Sequence, residues 1–396
     1  MAAEIPVPEP RPRRLDNIDL LRGLAMVFMA IDHSRDFFSN AHFYFDPLDL
    51  AATTPGFFLT RWITNFCAPV FILLTGTSTY LAEHRGKPRS RIQWLLLTRG
   101  LWLIFLEFTV IRFGWYFNFD YHFWKLGVIW AIGWSMICLA GLLYLPRWLV
   151  TVIGCLIVAG HNLLDGIRPE SLGALGWLWQ ILHVPGQFKP HPWITVKVVY
   201  PLIPWMGLMA AGYGFGSVLF WEEDRRRRAV MALGAALTLA FVALRTVNIY
   251  GDAHRWAVQS TWLFTLFSFI DCTKYPPSLL YLLVTLGPAL MVLAWLDRPL
   301  GPVTSRLVVF GHVPFFYYVL HLPLLHAMAV AAALWRYGEA TWLFANPPYQ
   351  VWPLDYTYDL LATYLAWAAT VLLLYPACCW FAALKARRKD WWLSYL

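Results

Sequence analysis

The first apolar segment of the chain reads NIDLLRGLAMVFMAIDHSRDFF from residue 17 to residue 38. An α-helix rises about 1.5 Å per residue, so a segment of this length crosses the roughly 30 Å hydrocarbon core of a bilayer. Four ionisable groups, Asp32, His33, Arg35 and Asp36, nevertheless lie close together near its end. Charge at membrane depth is costly and marks functional sites. The segment therefore predicts a membrane protein and also the position of its chemistry.

The composition extends this interpretation to the whole chain. Of its 396 residues 59% are hydrophobic and only 14% are charged, which is more apolar surface than a soluble domain can bury. We predict an all-α, polytopic helical bundle of 10 to 11 crossings. Ten apolar stretches are long enough, at 17–38, 57–83, 91–113, 127–145, 147–164, 199–221, 229–249, 277–296, 306–335 and 357–384.

The basic residues predict the orientation, because Lys and Arg in short loops are retained in the cytoplasm. Every second connection is basic, which places both termini in the cytoplasm. The formal charge of +8 then follows from topology and anionic lipid headgroups, and nucleic acid is not expected as a partner. The residues concerned are Arg11, Arg13, Arg14, Arg22, Arg85, Lys87, Arg89, Arg91, Arg147, Arg225–Arg228, Arg298, Arg306, Lys385, Arg387, Arg388 and Lys389.

The alternation of basic connections between the two sides of the membrane decides whether two ambiguous segments cross. If Trp256–Ile270 crossed, basic loops would fall on opposite sides, so we expect it to lie in the interface or to re-enter. The same argument keeps 306–335 as one long crossing kinked by Pro314 and Pro323, with two broken halves as the alternative.

The chain is predicted to form one transmembrane domain, residues 17–384. Residues 1–16 are Pro- and Arg-rich, lack the apolar core of a cleavable signal peptide, and are expected to be a disordered cytoplasmic tail. Residues 385–396 form a basic cytoplasmic tail.

No metal or haem is expected. The six cysteines contain no CxxC pair, so neither a disulfide framework nor a zinc site is indicated. His312 and His326 have the spacing of a helix that ligates two haems. A second span with a matching histidine pair is missing from the sequence, so we reject a cytochrome.

Helical geometry suggests roles within the charged cluster, since residues three or four apart share a face. Asp36 is placed to orient the imidazole of His33, while Arg35 and Asp36 can both reach Asp32. A neutral histidine held by a carboxylate is suited to act as a general base or as a nucleophile. The alternative is a salt bridge of the carboxylates with Arg35 or Arg61 that only neutralises buried charge.

The depth of His33 in the membrane limits which donor molecules can reach it. It lies roughly 16 Å along the helix from Arg22, near mid-membrane or slightly outward, where only a donor with a long flexible arm arrives from the cytoplasm. Coenzyme A has such an arm, and its phosphates need cations. The candidates are Arg22, Arg85, Arg89, Arg91 and Arg99, although each of them also obeys the positive-inside rule.

The ninth span supplies further polar groups. Tyr317 and Tyr318 precede His321 by four and three residues, so all three share a helix face. Tyr318 and His321 are candidates for stabilising an oxyanion or carrying a proton. Equally, these groups simply satisfy one another's hydrogen bonds.

Three blocks of sequence carry a resemblance to a known family. They are IDLLRG at 18–23, MAIDHSRDFF at 29–38 and TRWITNFCAPVFILLTG at 60–76. In order and spacing they resemble the bacterial membrane proteins related to the catalytic domain of heparan-α-glucosaminide N-acetyltransferase, within the transmembrane acyltransferase superfamily. The tract from Gly311 to Pro323 looks like the histidine-containing late helix of other membrane acyltransferases.

This resemblance implies transfer of an acetyl or similar acyl group from cytoplasmic acyl-CoA to a carbohydrate or glycolipid acceptor across the bacterial inner membrane. It also makes His42 a rival of His33, because the catalytic histidine of the eukaryotic relative lies just beyond the corresponding helix. Bacterial relatives have histidine where this chain has Asn65. N- or O-acylation, and direct transfer or an acyl-histidine intermediate, stay open.

A second class of function is a secondary transporter of a small or sugar-like solute. Glu107 and Asp271 are isolated acids at or near membrane depth that would bind protons in such a protein. Inverted repeats with matching interrupted helices are missing from the sequence, which favours the acyltransferase. The expected partners are acyl-CoA, the acceptor and membrane lipid, and a homodimer is compatible with the sequence.

Overall fold

The computed structural model describes residues 16–39, 44–347, 358–388 and 390–395, and these residues form a bundle of helices. The helices of the first half are α1 (Asp16–Phe38), α2 (Pro55–Ile63), α3 (Cys67–His84), α4 (Arg89–Leu106), α5 (Arg112–Tyr116), α6 (Val128–Leu142), α7 (Arg147–Gly160) and α8 (Gly176–Leu182). Those of the second half are α9 (Leu202–Phe215), α10 (Glu223–Val247), α11 (Trp262–Ile270), α12 (Leu279–Trp295), α13 (Thr304–His312), α14 (Pro314–Tyr337) and α15 (Leu360–Arg387).

Seven helical segments of the described residues are long and apolar enough to cross a membrane. They are Pro55–His84, Arg89–Tyr116, Arg147–Leu164, Leu202–Phe220, Glu223–Val247, Pro314–Tyr337 and Leu360–Arg387. Two shorter apolar helices, α6 and α12, and the 23-residue α1 with its charged cluster complete the bundle. These helices lie where the sequence predicts crossings, and the prediction of an all-α polytopic membrane protein is confirmed. We call the end of the bundle where α1 begins the inner end.

The segment 306–335 does not form one continuous crossing, and that prediction is wrong. The chain breaks at Val313 (φ −135°, ψ 49°), and α14 starts at Pro314. A proline at the first helical position is favourable because its missing N–H has no helical partner there. The two-part alternative is correct, since α13 packs against α1 and α14 alone is long enough to cross. Pro323 lies inside α14 without ending it.

The structure agrees with the prediction that Trp256–Ile270 does not cross the membrane, and its place in the interface stays a prediction. Only Trp262–Ile270 is helical, and its 9 residues span about 14 Å, too short to cross. The side chain of Thr261 caps this helix by accepting from the N–H of Phe264 at 3.3 Å. An unpaired N–H at a helix start is satisfied in this way.

A small sheet lies in the outer connections, which the sequence analysis did not predict. Its strands are β1 (Phe123–Leu126), β2 (Gly186–His191) and β3 (Ile194–Val198), in the order β1-β3-β2. β1 pairs with β3 in parallel and β2 pairs with β3 antiparallel. The sheet joins the connection before α6 to the connection before α9.

Close backbone contact fixes α1 at its inner end. Gly23 of α1 lies against the carbonyl of Leu307, and Gly311 of α13 lies against the carbonyl of Asp19, so a Cβ at either glycine would overlap backbone. Small residues permit such contacts between membrane helices. Arg22 adds polar bonds to Asp19 at 3.0 Å and to the Leu74 carbonyl of α3 at 3.2 Å. The inner half of α1 is therefore anchored on two sides.

Candidate active site

A cavity of about 230 Å³ lies between α1, α3, α4, α6 and α14. Cys67 and Thr75 of α3 both line it, so it extends about 12 Å along the helix axes. Most of the lining is apolar. Its polar and charged members are Asp32, His33, Thr64, Thr75, Arg99, Tyr200, Lys274, Tyr318 and Tyr395.

His33, on the wall of this cavity, contacts a second histidine behind it. Nδ1 of His33 lies 2.5 Å from Nε2 of His321, and the two ring planes differ by 19° with centroids 4.8 Å apart, so the rings meet edge to edge. Both side chains are buried. Both residues are predicted from the sequence as site residues, but their contact is not.

The second nitrogen of His321 fixes the protonation pattern of the pair. Nδ1 of His321 lies 3.2 Å from the backbone carbonyl of Tyr317, which can only accept, so this nitrogen carries the hydrogen. In two neutral rings, Nε2 of His321 then accepts from Nδ1–H of His33. The lone pair of His33 is thereby placed on Nε2, which makes no hydrogen bond within the described part of the chain. His33, which lines the cavity, is thus in the tautomer of a base or nucleophile.

Aromatic rings hold the imidazole of His33 in place. Trp115 meets it edge to face at 5.0 Å and Tyr318 at 6.1 Å. The ammonium of Lys125 lies 4.4 Å from the ring centroid of Trp115, in a cation–π contact. His33 therefore has little rotational freedom.

The carboxylates near His33 pair with guanidinium groups. Asp32 accepts from Arg35 at 3.0 Å and from Arg61 at 3.1 Å, and Asp36 accepts from Arg35 at 2.7 Å. The predicted contact of Asp36 with His33 is wrong, because Arg35 binds this carboxylate and His321 occupies Nδ1 of His33. The salt-bridge alternative accounts for these contacts, although Asp32 also lines the cavity.

Several polar lining residues were missed from the sequence, and three of them come from outside the long helices. Lys274 and Tyr200 come from outer connections, and Thr64 from the turn between α2 and α3. Lys274 is buried, which is unusual for a lysine and suggests a role. A lone lysine between apolar residues and Tyr275-Pro276-Pro277 was the available signal, but only the folded chain brings it to α1.

Arg99 and Tyr395 mark the inner part of the cavity. The guanidinium of Arg99 lies 6.0 Å from the ring centroid of Tyr395, and the Tyr395 hydroxyl lies 2.8 Å from Oγ1 of Thr98. Nε of Arg99 is buried without a hydrogen bond among the described residues. The predicted basic tail thus ends in a turn, Trp391–Tyr395, that packs on α4.

The other predicted donor-binding arginines lie elsewhere. Arg22 binds Asp19 and α3, as described above. Arg89 pairs with Glu83 at 2.6 Å, and Arg85 and Arg91 are exposed. Of the five, only Arg99 lines the cavity.

The family model described as heparan-alpha-glucosaminide N-acetyltransferase, catalytic, matches residues 14–251, more than half of the chain. The chain belongs to this family. Among curated proteins, none matches the chain. Membership in the heparan-alpha-glucosaminide N-acetyltransferase family, together with the apolar helices, makes the protein an integral membrane protein of acetyltransferase type.

The matched region of this N-acetyltransferase family contains His33 but not His321. His42, the rival candidate, lies outside the described residues, so its role stays a prediction. Asn65 is buried, and its backbone carbonyl accepts from the Tyr281 hydroxyl at 2.7 Å.

The remaining polar residues that were named from the sequence are Tyr317, His326 and His312. The hydroxyl of Tyr317 is buried without a hydrogen bond in the described chain, and Nδ1 of His326 faces the Gly114 carbonyl at 3.0 Å. Nε2 of His312 lies 3.8 Å from Asp19. None of them lines the cavity.

The two isolated acids also lie apart from the cavity. Glu107 accepts from the N–H of Trp130 at 3.0 Å, which holds α4 against α6. Burial raises the pKa of Asp271 to about 6, although the nearby His254 lowers it.

Proposed function

We propose that the protein transfers an acetyl or similar acyl group from acyl-CoA to a carbohydrate acceptor, with His33 as the catalytic residue. One observation carries the proposal. A single cavity holds the basic Nε2 of a rigidly oriented histidine and, toward its inner end, the half-buried guanidinium of Arg99.

The size of the cavity suits the arm of the donor. Sites for drug-sized ligands measure about 300–1,000 Å³, so 230 Å³ accommodates an extended arm and a small acyl group but not the nucleotide. Met26, Phe71 and Leu103 offer an apolar path for the arm. The nucleotide would stay at the inner mouth, where Arg99 attracts its phosphates.

The histidine pair supports two routes. In direct transfer, Nε2 of His33 takes the proton of the acceptor amine or hydroxyl as its N or O attacks the thioester and the CoA thiolate leaves. In the two-step route, Nε2 attacks, the C–S bond breaks, and His33 passes its Nδ1 proton to His321 while holding the acyl group. In both, the ammonium of Lys274 is a candidate for stabilising the oxyanion.

The acceptor would approach from the outer end, where Lys274 and Tyr200 line the cavity. We assign that end to the periplasm of a bacterial inner membrane because the basic loops are at the other end. A glucosaminide-type acceptor follows from the description of the family alone.

The test uses the full chain in liposomes with acetyl-CoA labelled in the acetyl group, with and without glucosamine. We expect thioester loss and a labelled product, both abolished by His33→Ala and retained by His191→Ala, an exposed histidine of β2. A labelled protein without acceptor would identify the two-step route. Equal turnover in His33→Ala and the unchanged protein would exclude His33.

A further inference from the structure

A second cluster of ligating side chains lies away from the cavity, at the far end of α7. His161 begins the 3-10 turn that follows α7, Asp165 follows that turn, and His183 caps the end of α8. One ligand atom from each of the three lies within 4.8 Å of the others. None of these residues lines the cavity of His33.

The two imidazoles are buried, and their ring nitrogens have fewer hydrogen-bond partners than buried polar groups normally have. His161 is 2% exposed and His183 is 0% exposed. Nδ1 of His183 makes no hydrogen bond among the described residues. Neither nitrogen of His161 makes a hydrogen bond of good geometry there, although the backbone of Pro277 is close enough for a weak one. Leaving such buried groups unsatisfied destabilises the folded chain. A bound cation would remove part of this cost.

The arrangement fits a divalent transition metal. Nε2 of His183 lies 3.0 Å from Oδ1 of Asp165, and the two imidazole centroids lie 5.6 Å apart. Ligands of a tetrahedral Zn²⁺ at about 2.1 Å are about 3.4 Å apart, so small side-chain movements complete the set. Asp165, with 27% of its side chain exposed, gives the ion access from solvent.

Asn162 supports the carboxylate from behind. Its Nδ2 donates to Oδ2 of Asp165 at 2.9 Å, and its Oδ1 accepts from the N–H of Leu279 at 2.9 Å. Metal-binding carboxylates are usually oriented by such outer hydrogen bonds. The other carboxylate oxygen of Asp165, Oδ1, is thereby turned toward His183.

We propose that His161, Asp165 and His183 bind one Zn²⁺-type ion, with water as the fourth ligand. The ion ties the end of α7 to the 165–183 connection. Its role is structural, because none of its ligands lines the cavity of His33. The spacing in sequence is not a recognised metal motif, since His183 follows Asp165 by 18 positions.

The test measures metal binding directly on the full chain in detergent, purified without a histidine tag and stripped with a chelator. We expect equimolar Zn²⁺ by elemental analysis and, with Co²⁺, the visible absorption of a tetrahedral site. Asp165→Asn, which keeps the size of the side chain, should weaken Co²⁺ binding at least about tenfold. His191→Gln, outside the cluster, should bind as the unchanged protein does.

Thermal unfolding is a second measurement, which still tests the proposal if one variant folds poorly. Zn²⁺ should raise the Tm of the stripped unchanged protein and not that of His161→Gln. The proposal is overturned if the unchanged protein takes up no Co²⁺, or if Asp165→Asn and His161→Gln bind it as tightly as the unchanged protein. Because every readout is metal content, absorption or Tm, the result is independent of the acyltransferase proposal.

Discussion

Nδ1 of His33 lies 2.5 Å from Nε2 of His321, although 288 positions separate the two residues in the chain. The Tyr317 carbonyl fixes His321, and His321 in turn fixes the tautomer of His33. The pair therefore acts as one unit, in which His33 faces the cavity and His321 is a positioning residue.

Replacing His321 should impair catalysis more than binding. In His321→Ala, the ring of His33 loses its acceptor, and we expect kcat to fall by about 10²–10⁴-fold with KM for acetyl-CoA little changed. The acidic limb of the pH profile should also shift, because His321 no longer stabilises the His33 imidazolium. An unchanged kcat and pH profile would show that the contact is only a packing contact.

The rate of the unchanged protein should depend on pH. Acid adds a proton to Nε2 of His33 and removes the lone pair that the reaction needs, so activity should be lost on acidification. The measurement is initial thioester cleavage at saturating acetyl-CoA in reconstituted liposomes, from neutral pH down to the lowest pH at which the protein stays folded. A rate that stays constant down to that pH would count against an imidazole base.

Arg99 should contribute to donor binding. Arg99→Gln removes a charged partner of the phosphates, worth about 1.5–3 kcal/mol, so KM for acetyl-CoA should rise roughly tenfold or more while kcat changes little. Arg91→Gln, an exposed arginine on the same helix, is the matched control. Equal effects of the two variants would indicate attraction by overall charge and not a site at Arg99.

Asp32 should be important for stability. Asp32→Asn leaves Arg35 and Arg61 without a shared counter-ion, and breaking a buried ion pair costs about 3–5 kcal/mol. Asp390→Asn is the control, because its pair with Arg388 is largely exposed and contributes at most about 1 kcal/mol. The comparison is the Tm of each purified variant in detergent. Similar Tm values would mean that the Asp32 ion pairs are dispensable for folding.

Gly311→Ala should destabilise the contact between α1 and α13. Its new methyl group overlaps the carbonyl of Asp19, and overpacking of this kind typically costs 1–3 kcal/mol, occasionally more. Gly141→Ala places the same group in open space at the end of α6 and should preserve or raise the Tm. If both variants have the same Tm, α1 and α13 can move apart to accommodate the new methyl group without loss of stability.

The sequence predicts the fold well because membrane crossing depends on local properties. About 20 consecutive apolar residues define a span regardless of its neighbours. The break at Val313 is harder to predict, since a proline can either kink a helix or start a new one. Which of these occurs depends on how α13 packs on α1, a contact between distant parts of the chain.

Part of the site was predictable from the sequence, namely Asp32, His33, Arg99 and Tyr318, but its contacts were not. Spacing along one helix correctly suggested that Asp32 pairs with Arg35, whereas the partner of His33 comes from another helix. Lys274 approaches α1 only after the outer connections fold. Local periodicity contains no information on such pairings.

Because His33 pairs with His321, the bounds of the family match do not enclose the whole candidate site. The match ends at residue 251, so one of the two paired histidines belongs to a part of the chain that the match omits. A fragment cut at that boundary would carry His33 without the neighbour that sets its tautomer. If the chain is instead divided in the outer connection before α11 and the two halves are produced together, their reassembly would rebuild the histidine pair, and recovered activity would report directly on the docking of α14 against α1.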